Sequence, residues 1–83
     1  MLYRILTEDK NRPNVIGLVT KRFPGFTLLS AQGYWQGTAE NSLALEIDTD
    51  KTEDVFNLAR EIKAANGQQA VLVQELSSKA TLV

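Results

Sequence analysis

Residues 26–48, FTLLSAQGYWQGTAENSLALEID, decide the fold of this chain. Phe26–Gln36 is a long extended segment, and Ser42–Asp48 alternates between apolar and polar residues with the period of a β-strand. Residues 37–41 are polar and predict a five-residue loop between the two strands. Two adjacent strands joined by a short loop predict a β-hairpin. Gly33, in the middle of the first strand, predicts a bulge or a close backbone approach.

One strand and one helix precede this hairpin. Leu2–Thr7 has the alternation of a strand, and Asn11 is placed to cap a helix with Pro13 in its first turn. Pro24 and Gly25 end that helix. Helical spacing predicts one buried stripe, made of Val15, Ile16, Val19 and Phe23.

One helix and one strand follow the hairpin. Asp50 as the N-cap, with Glu53 three residues later, is close to a capping box, and Gly67 supplies a left-handed stop. Ala70–Leu76 is the last main strand, and residues 77–83 are a candidate extra edge strand. The stripe of the second helix consists of Val55, Leu58, Ala59 and Ile62.

The element order βαββαβ predicts an α+β fold of the ferredoxin-like type, as one domain over residues 1–83. Right-handed crossovers place both helices on one face of a four-stranded antiparallel sheet. The other face is then bare, which makes it and the sheet edges candidate contact surfaces. The predicted core is Ile5, Val19, Leu43, Leu45, Ile47, Leu58, Ile62 and Val73.

The composition narrows the function classes. The chain has no cysteine and no histidine, so thiolate metal sites, thiol nucleophiles and a histidine base are absent. Its nine Lys and Arg residues are scattered and its net charge is −1, which disfavours nucleic-acid binding. No apolar run is long enough to span a membrane and the N-terminus does not resemble a signal peptide, so we expect a cytoplasmic protein. We expect no cofactor. A small domain without disulfides or metals predicts a homo-oligomer.

Two motifs resemble a known family. Residues 22–27, RFPGFT, and residues 31–35, AQGYW, are similar to the core of a small bacterial and phage family of unknown function. Glu40 stands where that family has an acidic residue, and residues 69–73 resemble its last strand. Gln36 departs from the pattern, since the family often has arginine there. The resemblance implies the fold and no particular activity. The topology also resembles that of trimeric PII-type regulators, which bind nucleotides between subunits.

Tyr34 and Trp35, with Gln32 and Gln36 beside them, are the candidate ligand-binding residues. Consecutive strand residues point to opposite faces, so one ring would lie in the core and the other on the bare face or at a hairpin end. An exposed ring there would stack a base or anchor a partner, whereas the structural interpretation is that both close the core or an interface. Arg22 is the candidate phosphate-binding cation, and its structural interpretation is a favourable charge at a helix C-terminus.

These features predict a non-enzymatic, oligomeric module that binds a small anionic, nucleotide-like ligand, such as a host signal sequestered by a phage protein. The alternative is a protein–protein module that docks through its bare sheet face or an edge strand. A carboxylate-dependent enzyme is the third hypothesis, because Glu46 and Asp48 share a strand face and Glu40 is near them in sequence. Solvated charges on the polar side of a strand are the favoured explanation of these carboxylates.

Overall fold

The computed structural model describes residues 1–76. The sheet is four-stranded with the order β2-β3-β1-β4, and all three pairings are antiparallel. This confirms the predicted ferredoxin-like α+β fold. The extra edge strand predicted at residues 77–83 lies outside the described residues, and the single domain over residues 1–83 stays a prediction. The elements are β1 (Leu2–Glu8), α1 (Arg12–Arg22), β2 (Thr27–Trp35), β3 (Thr38–Asp48), α2 (Thr52–Asn66) and β4 (Leu72–Leu76).

The core lies between one face of the sheet and the two helices. Across that face, Leu28 pairs with Leu45, Leu45 with Ile5, and Ile5 with Val73, so one apolar row crosses all four strands. Buried residues of both helices cover this row. The helix residues that do so are Val15, Val19, Val55, Leu58, Ala59 and Ile62.

Seven of the eight predicted core residues are fully buried, which confirms the alternation and the helical stripes. Val73 is only half-buried, because β4 is an edge strand of the sheet formed by residues 1–76. The prediction that Ile16 belongs to the buried stripe of α1 is wrong, since 39% of its surface is exposed. It lies about 100° around the helix from Val15, beyond the strip that meets the sheet.

The opposite sheet face, here called the bare face, has no helix over it among residues 1–76. A second apolar row crosses it, because Leu29 pairs with Ala44, Ala44 with Leu6, and Leu6 with Leu72. The neighbouring row is polar and includes an ion pair between Arg4 Nη2 and Glu46 Oε2 at 2.8 Å.

The loop of the hairpin differs from the prediction. Residues 37–41 do not form a five-residue loop, because β3 begins at Thr38 and only Gln36 and Gly37 connect the strands. Their φ values are 50° and 79°, and two residues with positive φ form the type I′ turn that suits the twist of a hairpin. The bulge predicted at Gly33 is also absent, since pairing runs unbroken from Thr27–Glu46 to Trp35–Thr38.

Both helix starts lack the predicted side-chain caps. Asn11 does precede α1, but its φ is 51° and its side chain makes no capping hydrogen bond; its carbonyl accepts the N–H of Val15 instead. The N-cap of α2 is Lys51, not Asp50, which makes Glu53 the second helical residue. Tyr3 explains the shift, since its hydroxyl lies 2.6 Å from Thr52 Oγ1 and fixes the first helical residue against the sheet.

Truncation of the two central side chains of the core row should destabilise the fold. We expect Ile5→Ala and Leu45→Ala each to lower the free energy of unfolding by about 2–5 kcal/mol, because both side chains are fully buried and leave cavities. Leu72→Ala, at a position 52% exposed, is the matched control and should cost much less. Urea unfolding followed by circular dichroism measures all three, and equal losses would show that the register is wrong.

Candidate functional site

The outer part of the β2–β3 hairpin, residues 30–41, extends away from the core and is here called the arm. Almost every residue of the arm is exposed. Tyr34 is 72% exposed and Trp35 is 66% exposed, so neither ring closes the core of the chain. The two-residue turn, Gln36 and Gly37, places both aromatic side chains at the tip of the arm. Four of the predicted site residues lie on the arm, although not all on one face of it: Gln32, Tyr34, Trp35 and Gln36.

The register assigns each arm residue to one side of the sheet. Gln32 and Tyr34 lie on the side of the helices, and the Tyr34 hydroxyl donates a long 3.4 Å hydrogen bond to Gln32 Oε1. Trp35 lies on the bare face, as does Glu40, which pairs with Gly33. A tryptophan ring and a carboxylate thus share one surface, separated by a glycine.

The atom close to the open side of Gly33 is a side-chain oxygen, not the backbone that one of the two sequence interpretations expected. A Cβ atom at this position would lie 3.2 Å from Ser42 Oγ, which is tighter than an ordinary van der Waals contact.

A cleft of about 250 Å³ lies where the arm meets the loop after β1, and it contains charges of both signs. Lys10 Nζ forms an ion pair with Glu8 Oε2 at 2.8 Å. The backbone N–H of Asp9 donates to the carbonyl of Asn41 at 3.0 Å, which holds the loop against the arm. The cleft is lined by Glu8, Asp9, Lys10, Glu40 and Asn41.

Arg12 is the cation beside the arm, and sequence reasoning missed it. Its Nη2 donates to Asp9 Oδ2 at 2.7 Å and to Ser30 Oγ at 3.1 Å. The hydrogen bond to Asp9 raises the pKa of the Arg12 guanidinium, and the Coulombic attraction of the same carboxylate acts in the same direction. The only signal in the sequence is the position of Arg12 just after the strand that pairs with the hairpin.

Arg22, the cation selected from the sequence, lies elsewhere. Its Nε donates to Glu61 Oε1 at 3.0 Å and its Nη1 to Asp54 Oδ1 at 3.4 Å, so it joins the C-terminus of α1 to α2. The structure does not bring Arg22 together with the aromatics of the arm, and its role in ligand binding stays a prediction.

The other two carboxylates considered for catalysis, Glu46 and Asp48, lie away from the charged cleft. Glu46 is paired with Arg4 on the bare face, where Asp48 also lies. Within residues 1–76 no group of three or more Asp, Glu, His or Cys side chains is arranged to hold a metal ion. No helix in that range has the length and apolarity needed to cross a bilayer.

Several solved structures share this fold, although no family model and no curated protein sequence matches the chain. A phage SAM lyase in its apo state is 19% identical, with a TM-score of 0.69 over 87% of this chain and 75% of that one. A DUF3240 family protein from Shewanella baltica is 8% identical, with a TM-score of 0.58 over 99% and 94%. The divalent cation tolerance protein CutA1 from Thermus thermophilus is 18% identical, with a TM-score of 0.56 over 96% and 88%.

These similarities correct one expectation and leave another open. The prediction that the chain is not an enzyme is contradicted, because a phage SAM lyase, which is an enzyme, has this fold over most of the chain. The absence of cysteine and histidine is too narrow a criterion for excluding an enzyme. The presence of a DUF3240 protein among the neighbours agrees with an uncharacterised type of domain, but the similarity to the RFPGFT family stays a prediction.

Arg22 should contribute to stability through its contacts with α2. We expect Arg22→Gln to lower the free energy of unfolding by about 1 kcal/mol, because a half-buried guanidinium loses two carboxylate partners. Lys21→Gln removes the neighbouring, exposed charge and is the matched control, with little expected change. Thermal unfolding at low and high salt measures both, and equal melting temperatures for the two variants would contradict this role.

Proposed function

We propose that this chain is a homo-oligomeric protein that binds a small nucleoside-type ligand at the arm and acts on it, with S-adenosylmethionine as the first candidate. The observation that carries the proposal is the exposed ring of Trp35 on the same face as Glu40, which also lines the charged cleft. The fold shared with a phage SAM lyase supports the choice of this candidate.

The charges around the cleft complement those of S-adenosylmethionine. This molecule carries a sulfonium, an ammonium and a carboxylate, and an adenine ring at its other end. Glu40 and the other two carboxylates of the cleft, Glu8 and Asp9, suit the cationic groups, whereas Lys10 suits the carboxylate. Stacking of adenine on Trp35 would contribute about 1–3 kcal/mol. The anionic, nucleotide-like ligand expected from the sequence would use Lys10 and the same ring.

Cleavage of a sulfonium is chemistry that this composition allows. The electron pair of the broken carbon–sulfur bond goes to the sulfur, so the leaving group is a neutral thioether that needs no proton. The carbon that loses its bond to sulfur forms a new bond in one of two ways. Either a neighbouring carbon loses a proton and a double bond forms between the two carbons, or an oxygen of the substrate's own carboxylate attacks and forms a carbon–oxygen bond. In the first route Glu40 would accept the proton; in the second, the protein only positions the substrate. Neither route requires histidine or cysteine.

The runner-up is docking of another polypeptide, and the apolar row across the bare face favours it. Leu29 is 46% exposed and Leu72 is 52% exposed, and Leu6 and Ala44 connect them. Such a row is typical of a contact surface on a small domain. A native mass spectrum of the protein purified from its host separates the two: a retained small molecule favours the first function and a co-purified foreign chain the second.

Substitutions on the arm should weaken ligand binding without unfolding the protein. We expect Trp35→Leu and Glu40→Gln each to raise the dissociation constant for S-adenosylmethionine about tenfold or more, measured by calorimetry, because they remove a stacking ring and a counter-charge. Ile16→Leu and Glu53→Gln, at exposed positions away from the arm, are the matched controls and should bind as the parent does.

Mass spectrometry of the reaction mixture should show a neutral thioether product from the parent and less from both arm variants. A parent protein that neither binds nor cleaves S-adenosylmethionine would exclude this ligand. Arm variants that bind and react as the parent does would show that the site lies elsewhere.

A further inference from the structure

Among residues 1–76, five of the seven exposed large apolar side chains lie toward the two edges of the sheet. Leu29, Tyr34 and Trp35 lie on the edge strand β2. Phe56 and Leu72 lie at the other edge, on α2 and β4. Scattered exposed residues need no explanation, but apolar groups collected at two opposite edges indicate contact surfaces.

β2 lacks the features that normally prevent an edge strand from pairing. Its nine residues, TLLSAQGYW, include no charged residue and no proline. Its pairing with β3 has no bulge that would twist the edge away. Natural proteins protect such edges with lysines, prolines or bulges, because the free N–H and C=O groups are a template for another strand. Among residues 1–76, no strand lies on the outer side of β2.

The opposite edge offers a groove of about 340 Å³ between α2 and β4. Its floor is apolar, and two cations stand on its rim. The lining of the groove includes Phe56, Arg60, Lys63 and Val71. On the other side of β4, the exposed Leu72 belongs to the bare face.

The two edges match in direction and in side-chain order. Because all three pairings within the chain are antiparallel, β2 and β4 run in opposite directions, as one further antiparallel pairing between copies requires. In a sheet continued from one copy to the next, Tyr34 stays on the helix side and Trp35 on the bare face. Within one copy Leu72 lies on the same row as Leu29, so neighbouring copies must be staggered by four residues to place Tyr34 opposite Val71 at the groove. This even shift keeps the faces, and Trp35 then lies on the same face as Leu72.

We infer that β2 of one copy pairs with β4 of the next in a head-to-tail arrangement, so that Tyr34 enters the α2–β4 groove of the neighbouring copy. The aromatic face of Tyr34 suits the cations Arg60 and Lys63 on the rim. Such an interface is heterologous and closes into a ring when the rotation between copies permits. This inference rests on the self-association proposed above and names its interface; it also places Arg60 and Lys63 of one copy beside the arm of another.

The test blocks each edge of the full-length chain separately and then mixes the two variants. Leu29→Lys with Tyr34→Lys blocks the β2 edge, and Phe56→Lys with Leu72→Lys blocks the β4 edge. All four positions are exposed, and Ile16→Lys, on α1, is the matched control with the same exposure as Phe56. Circular dichroism checks folding, and should a double variant unfold, Leu29→Lys and Leu72→Lys alone carry the same test.

Sedimentation velocity and native mass spectrometry then give the outcome. We expect each blocked variant alone to be monomeric, with association weakened about thirtyfold or more, and an equimolar mixture to form a 1:1 dimer through the remaining intact edges. A monomeric parent would overturn self-association itself. A parent oligomer that both variants retain would leave self-association standing and overturn this interface. Loss of association in only one variant would indicate a symmetric interface and also contradict the inference.

Discussion

The two-residue turn at Gln36 and Gly37 determines the side-chain parity of the longest hairpin, and most of the structure depends on it. It pairs Leu28 with Leu45 and so completes the core row. The same parity places Tyr34 on the helix side. A five-residue loop between Gln36 and Ser42 would reverse this assignment, because shifting a strand by an odd number of residues exchanges its faces.

The small core has a consequence for the rest of the molecule. Two helices cover one sheet face, while the arm and the bare face extend beyond them. A chain this short buries a modest fraction of its surface, so contacts between copies are a natural source of additional stability. The charged cleft and the exposed aromatics lie on the part of the chain that contributes least to its core. Ligand binding and assembly can therefore depend on the same element without compromising folding.

Much of the architecture could be predicted from periodicity, and the errors have local causes. Leu43, Leu45 and Ile47 alternate so regularly that strand and face follow directly. The turn was missed because Gln36 is not one of the residues, such as Asn or Asp, that usually mark a type I′ turn. The start of α2 was missed because a tertiary contact, from Tyr3 to Thr52, prevails over the local capping signal.

The site was predicted less completely than the fold. The aromatic pair could be selected because large rings on an extended segment are conspicuous, but its exposure depends on how far the hairpin extends past the helices. Arg12 could not be selected, since its proximity to Ser30 results from the packing of the N-terminus of α1 against a distant strand. Arg22 was selected for its charge, but that charge is paired with Glu61 and so links the two helices. Sequence spacing carries no information about such contacts between elements.

The most direct test of this account is amide hydrogen exchange of the unmodified protein, resolved by residue. If β2 and β4 of neighbouring copies pair, amides on the outer sides of both strands should exchange slowly in the assembled protein. They should become fast on dilution, while those of β1 and β3 stay protected. Outer amides of β2 and β4 that exchange at the rate of exposed groups at every concentration would contradict the account.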